Sequence, residues 1–221
     1  MAEATVQLNK AHFPVTVLGP GRRIGLWLQG CSIHCPGCLS RDTWAPDPAR
    51  AVSVAALLQW CREASGGRPD GVTISGGEPF DQPEALGALL DALVRWRTRA
   101  RLDFDILCYS GRAHAWLARR HPRLLARLDA LVAEPYVESL PATRLWRGSA
   151  NQPLLPLSAR GRARYAPWLE APAEAGGRRL QLAVDGERAW FVGIPGRGDL
   201  DAAAGLCAAR GLALDSVSWR P

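Results

Sequence analysis

The sequence predicts an α/β protein organised around a parallel sheet, with a small α+β extension at its C-terminal end. Three observations carry this reading. Short apolar runs alternate with amphipathic stretches between residues 24 and 133. Glycines or polar turns close each run, and beyond Leu157 the pattern changes character. Strands alternating with helices at such spacing imply crossover units and a shared sheet.

The elements follow in order. Residues 24–29 (IGLWLQ) form a short apolar run that ends at Gly30, as a buried strand would. Residues 52–64 carry Val54, Leu57, Leu58 and Cys61 at helical spacing, with Ser53 placed to cap the helix. Residues 71–75 (GVTIS) are the next strand, closed by Gly76-Gly77, and Pro83 opens a helix striped by Leu86, Leu89, Leu90, Leu93 and Val94. Residues 104–109 predict a third strand, residues 113–120 a helix, and residues 130–133 a fourth strand ending at Glu134-Pro135. Right-handed crossovers would make these strands parallel. Ligands of such sheets gather at the carboxyl ends of the strands. Cys31, Gly76-Gly77-Glu78, Ser110 and Glu134 all fall just past strand ends, so they are expected on one face.

The domain division is placed at 1–170 for the main unit and 171–221 for the extension. Residues 171–177 read as a linker rich in Ala, Gly and Pro. Residues 180–184 and 189–194 flank Asp185-Gly186, a hairpin signal. Leu180, Leu182 and Val184 alternate on one arm, and Trp190, Val192 and Ile194 on the other. That predicts a single apolar face, which Leu200, Leu206 and Cys207 of a helix at 200–210 would cover. A last short strand is expected at 215–219.

The formal net charge is +6, and Lys10 is the single lysine among 27 basic residues. A dispersed, solvated arginine surface is the plain reading; an anionic partner is the alternative. Arg160-Gly161-Arg162-Ala163-Arg164 is the one local basic cluster, and it carries no nucleic-acid motif, so nucleic acid is not an expected partner. No apolar stretch approaches the roughly 18 to 20 residues of a membrane helix. The opening MAEATVQLNK lacks the basic-then-apolar pattern of an export signal. The expected compartment is the cytoplasm, with no membrane partner.

Six cysteines in such a chain are read as thiols or ligands rather than disulfides. Cys61, Cys108 and Cys207 lie singly in apolar segments, as small core hydrophobes do. Cys31, Cys35 and Cys38 offer three thiolates from one short loop. Closed 4Fe–4S sites use four cysteines, so three leave one iron open to a small molecule. A structural zinc site is the competing reading; it wants four Cys or His ligands, and His34 beside Cys35 is the available addition. Thr73-Ile74-Ser75-Gly76-Gly77-Glu78-Pro79 supplies the second signal. Two glycines after a strand allow close approach to a ligand, and the adjoining carboxylate suits an ammonium group. A plain strand-to-helix turn explains the same residues.

The cysteine spacing followed by Gly-Gly-Glu-Pro resembles the radical S-adenosylmethionine superfamily. Gly19-Pro20-Gly21-Arg22-Arg23, Gly30-Cys31, Cys35-Pro36-Gly37-Cys38, Thr43-Trp44 and Leu145-Trp146-Arg147-Gly148-Ser149-Ala150-Asn151-Gln152 further resemble its glycyl-radical enzyme activase branch, that of the anaerobic ribonucleotide reductase activating proteins. The likeness covers about residues 12–157. It departs from that branch in having Glu78 where Asp is common, Leu39-Ser40 after the third cysteine, and Glu134-Pro135 after the fourth strand.

The resemblance implies an incomplete (βα) barrel with the site at its carboxyl-end mouth. It implies that Cys31, Cys35 and Cys38 ligate a 4Fe–4S cluster whose open iron chelates S-adenosylmethionine. Gly76, Gly77 and Glu78 would hold the cofactor's methionine end, with Ser110 and Asn151 as further cofactor-binding candidates; a turn-stabilising role is the alternative for Asn151. The implied activity is reductive cleavage of S-adenosylmethionine to a 5′-deoxyadenosyl radical that activates a glycyl-radical enzyme, with a flavodoxin- or ferredoxin-type electron donor. Radical modification of a small molecule or peptide, and a non-catalytic metal-binding module, stand as alternatives.

Overall fold

The computed structural model describes residues 3–175, 180–185, 188–196, 198–214 and 217. Its main unit begins with β1 (Thr5–Val15) and β2 (Arg23–Leu28), then β3 (Ala51–Ser53), α1 (Val54–Ala64), β4 (Gly71–Gly76) and α2 (Pro83–Arg99). It continues with β5 (Asp105–Tyr109), α3 (His114–Arg120), α4 (Pro122–Leu125), β6 (Ala130–Val132), β7 (Leu154–Pro156) and α5 (Ala159–Tyr165). Beyond lie β8 (Leu180–Asp185), β9 (Arg188–Gly193) and α6 (Asp199–Ala208).

Seven strands form one mixed sheet in the order β3-β1-β2-β4-β5-β6-β7. The central β2, β4, β5 and β6 are parallel, as their alternation with helices predicts. The sheet is not parallel throughout, which corrects the sequence expectation: β1 runs antiparallel to both β2 and β3, and β7 antiparallel to β6. These three strands gave little sequence signal for physical reasons. The register of β1 against β2 shifts twice, between Leu8 and Lys10 and between His12 and Val15. Each shift breaks the two-residue alternation by which a strand is recognised. β3 and β7 are three residues long, and β7 ends in a proline.

The central strands are legible because helices cover them. β2 is buried along its whole length, and Ile24, Leu26, Leu28, Val72, Ile74 and Ile106 join Leu86, Leu89, Leu90 and Leu93 of α2 in one core. Full burial of such a side chain stabilises by about 1.5–3 kcal/mol. Ser53 caps α1 by accepting the Ala56 N–H at 3.1 Å, and Pro83 occupies the first turn of α2.

At the opposite end from the site, Arg23 is fully buried and all five of its N–H donors are satisfied. Nη1 and Nη2 grip Asp105 at 2.9 and 2.8 Å, Nε donates to Thr73 Oγ1, and the remaining donors meet the carbonyls of Pro20 and Val72. Tyr165 also donates to Asp105. A Cβ on Gly71 would lie 2.1 Å from Arg23 Nη1, so only glycine leaves room for the guanidinium. The Gly19-Pro20-Gly21-Arg22-Arg23 motif thus builds the floor of the sheet rather than its ligand face.

Residues 171–173 pair with 143–145 through Leu145 N to Ala171 O and Ala173 N to Thr143 O. The last residues of the sequence-predicted linker, the Gly186 of the hairpin turn and most of the expected strand at 215–219 lie outside the described residues. The hairpin of β8 and β9 overturns the expectation of one apolar face. Leu182 stands opposite Phe191 and Val184 opposite Ala189, whereas Gln181 pairs with Val192 and Ala183 with Trp190. Directly opposed residues share a face, so the Leu182/Val184 set and the Trp190/Val192 set point in opposite directions. The second set docks: Val192 packs with Val15, Val17, Leu18 and Trp27, Trp190 stacks on His12, and Gln181 bonds Thr16 N and Pro14 O. The first set is left open, Leu182 being 56% and Val184 69% exposed. In α6, Cys207 is buried but Leu206 is exposed. Positions 200 and 207 are nearly two full turns apart and share a face, while 206 is rotated by about 100° from 207. No helix among the described residues is long and apolar enough to cross a membrane.

Candidate metal centre and cofactor cavity

The cysteine loop leaves the buried end of β2. Its base is pinned: Gly30 N donates to Thr43 O at 2.7 Å, Cys31 N to Trp44 O at 2.9 Å, and Gln29 Nε2 to Ala45 O at 2.6 Å. Within it, Cys38 N reaches Cys35 O at 3.2 Å across Pro36-Gly37, with Gly37 at φ 72°. Proline then glycine in those positions is the chemistry of a type II turn, and it sets Cys35 and Cys38 at the turn's two ends. All three cysteines are free and half-buried, and burial raises the Cys31 and Cys35 thiols above their ordinary range. His34 is exposed, its ring stacked 4.6 Å from that of Trp44, whose ring the Arg41 guanidinium also covers.

The turn after β4 grips the start of this loop. Gly77 N donates to Leu28 O at 2.8 Å and Glu78 N to Gly30 O at 2.9 Å. A Cβ on Gly77 would lie 2.1 Å from Gly30 O, and one on Gly76 2.4 Å from Leu28 N. The glycine pair therefore answers first to the approach of two backbones, one of which leads directly into Cys31.

Glu78 is 1% exposed. Its Oε1 accepts from Phe80 N at 3.0 Å and Ser110 Oγ at 2.8 Å, and its Oε2 from Gly111 N at 2.8 Å. Burial pushes its carboxyl up to about 7, against the pull of those three bonds. A carboxylate has about four lone-pair positions, so one remains.

These groups line one cavity of about 1040 Å³, with Cys31, Cys35, Cys38, Gly77, Glu78 and Ser110 in its wall. The expected convergence at strand ends holds for Cys31, Gly76-Gly77-Glu78 and Ser110; Glu134 is not in this wall, and its Oε1 accepts from His114 N instead. The wall also includes Leu182, Val184 and Leu212 of the extension. Asn151 is not in that wall: its Nδ2 bonds Pro135 O, while the neighbouring Gly148 and Gln152 do line the cavity. Gln152 closes its own turn, accepting from Gly148 N and donating to Glu134 O. Two residues unread in the sequence, Asp81 and Arg112, meet at Ser32 beside Cys31. Arg112 follows Ser110 by two residues and Asp81 follows Glu78 by three, but neither position carries a recognisable signal on its own.

The donor set decides which inorganic group these residues fit. Among the described residues, no three or more His, Cys, Asp or Glu side chains are gathered around a point that could hold one metal ion. Three thiols in the wall of one cavity suit a multi-iron cluster, one thiolate to an iron, and the buried acceptor in the same wall suits a cationic ligand group.

Residues 17–155 match the family described as the 4Fe-4S single cluster domain. The chain belongs to this family. The matched span of this 4Fe-4S single cluster domain holds the cysteine loop, Glu78, Ser110 and the parallel strands; the hairpin and α6 follow it. Among curated proteins the domain is similar to the anaerobic ribonucleoside-triphosphate reductase-activating protein of Vibrio cholerae, 32% identical over 64% of this chain and 92% of that protein. The phage T4 protein of the same name is 29% identical over 62% of this chain and 86% of its own length. The pyruvate formate-lyase-activating enzyme of Staphylococcus aureus is 38% identical over 42% of this chain and 39% of that enzyme.

Proposed function

We propose that this protein is a radical S-adenosylmethionine enzyme that activates a glycyl-radical enzyme. The observation that carries the reading is the meeting of three loop thiols and a buried carboxylate in one cavity, within a 4Fe-4S single cluster domain. The names of the relatives, activating proteins and an activating enzyme, support it.

In this reading Cys31, Cys35 and Cys38 would hold the cluster, and Gly76, Gly77 and Glu78 would bind the methionine end of S-adenosylmethionine, the Glu78 carboxylate accepting its ammonium group. Held by Cys31, Cys35 and Cys38 and reduced by an external donor, such a cluster would supply the electron for reductive cleavage of the sulfonium, the chemistry that would give methionine and a 5′-deoxyadenosyl radical for hydrogen-atom abstraction. The chain's own contribution is positional. The pinned loop base fixes Cys31, Ser110 and Gly111 orient Glu78, and the cavity walls keep other hydrogen donors away. A sheet curved as an incomplete barrel, a low-potential flavodoxin- or ferredoxin-type donor and a cytoplasmic setting complete the proposal.

Anaerobic reconstitution tests it directly. The protein should take up about four irons per chain, cleave S-adenosylmethionine when reduced, and raise a glycyl-radical doublet in a cognate partner by electron paramagnetic resonance. Stoichiometric zinc with no iron uptake would exclude this function.

A further inference from the structure

Ser32, next to Cys31, is held by two charged side chains from two other loops. Its backbone N–H donates to Asp81 Oδ2 at 2.7 Å. Arg112 Nη2 donates to Ser32 Oγ at 2.8 Å and to Asp81 Oδ1 at 2.9 Å, closing a three-membered ring of contacts. Asp81 ends the short turn that begins at Pro79, and Arg112 lies in the loop after β5. Arg112 is itself anchored: its N–H donates to Ser110 Oγ, its carbonyl accepts from Glu134 N, and its guanidinium lies 5.1 Å from the Trp116 ring centre. One carboxylate and one guanidinium are thus fixed beside the first cysteine, and neither is freely solvated: their side chains are 22% and 33% exposed.

Net charge and hydrogen bonding around an iron–sulfur centre set its reduction potential. Screening weakens a charge's reach in water but much less in a partly enclosed site. From this geometry we infer that Asp81 and Arg112 are positioning residues that also tune the potential of a cluster held at Cys31, through opposed charges. The inference rests on the reading of Cys31, Cys35 and Cys38 as cluster ligands. Asp81 engages the Ser32 N–H at 2.7 Å, so that donor is already taken, and its negative charge opposes the gain of an electron; Arg112 offsets that charge. Because the two are paired, the potential should depend on their balance more than on either alone.

The experiment is redox titration of the anaerobically reconstituted full-length protein, followed by the paramagnetic signal of the reduced cluster, with iron content measured alongside. Asp81→Asn should move the midpoint potential upward, and Arg112→Gln should move it downward. The double variant should return close to the parent. Asp81→Glu and Arg112→Lys, which keep the charges, should remain near the parent potential. Shifts of the same sign in Asp81→Asn and Arg112→Gln, or no shift in either, would overturn the inference. Loss of iron from all four single variants would also overturn it, by making the pair purely structural. Failure of the unsubstituted protein to take up iron would instead dismiss the cluster reading itself, so the two failures are distinguishable.

Discussion

Ser110 and Glu78 meet across the ends of two neighbouring parallel strands, the Ser110 hydroxyl donating to Glu78 Oε1 at 2.8 Å. With Gly111 N on the other oxygen, this contact holds a buried carboxylate at the edge of the cysteine-lined cavity. Its orientation is fixed before any ligand arrives.

Glu78→Gln should therefore weaken S-adenosylmethionine binding while the cluster still assembles. Loss of a charge-assisted hydrogen bond costs roughly 1.5–3 kcal/mol, about ten- to a hundred-fold in affinity. A carboxamide must also turn its NH2 toward one of the existing donors, so some stability is lost as well. Anaerobic equilibrium dialysis on folded, iron-loaded protein reads the binding effect. Unchanged affinity would remove Glu78 from the cofactor's contacts.

The same carboxyl predicts a pH dependence in cluster-free protein. Burial raises it from 4.5 to about 7 on folding. Between those values the folded protein retains a proton that the unfolded chain has released, so stability falls as pH rises through that window. The contribution is fully present below pH 4.5 and is lost above about 7. Urea titrations across this range should show the decline, and Glu78→Gln should flatten it. An equal slope in both proteins would place the titration elsewhere.

At the floor of the sheet, Asp105→Ala leaves the Arg23 guanidinium buried without its counter-charge. Breaking one side of a buried pair typically costs about 3–5 kcal/mol. For a chain of this size that lowers Tm by on the order of 10 °C. Tyr165→Phe, which removes only one hydrogen bond to Asp105, should cost less, about 1–3 kcal/mol. Calorimetry that ranks Tyr165→Phe as the more damaging would contradict this account of the network.

The two faces of the hairpin should respond differently to substitution. Leu182→Lys and Val184→Lys lie on the exposed face, so stability should change by less than about 0.5 kcal/mol. Iron uptake should also be retained, while reaction with a protein partner falls if this exposed apolar face, part of the cavity wall, is where the partner docks. Val192→Ala, on the docked face, should cost roughly 1.5 kcal/mol at about 0.8 kcal/mol per buried CH2. Full partner activity in both lysine variants would make the extension a structural cover only. Deleting the extension is a poorer test, since it uncovers Val15, Val17, Leu18 and Trp27.

Local chemistry was legible along the chain. The spacing of Cys31, Cys35 and Cys38 is a property of one loop, and Pro36-Gly37 dictates its turn whatever surrounds it. β2, β4, β5 and β6 were readable because strands covered by helices must be apolar, and α2 because its leucines recur at helical spacing. β1 was not, since its bulges break the alternation.

Long-range juxtaposition was decided only by the tertiary structure. Ser32 and Asp81 are 49 residues apart, Asp81 and Arg112 31, and Arg23 and Asp105 82. A carboxylate and a guanidinium at such separations carry no mark of each other until the sheet order makes their loops neighbours. The hairpin makes the same point over a shorter range. Its alternation identifies two apolar sets, but only the pairing of Leu182 with Phe191 and Gln181 with Val192 decides that they face opposite ways. The side-chain period of a strand is two, so a one-residue change of register exchanges the docked face for the open one. The sequence by itself thus determined the cysteine loop, the helices and the strands they cover. Which charges meet beside that loop, and which apolar face stays exposed, had to wait for strands to find their partners.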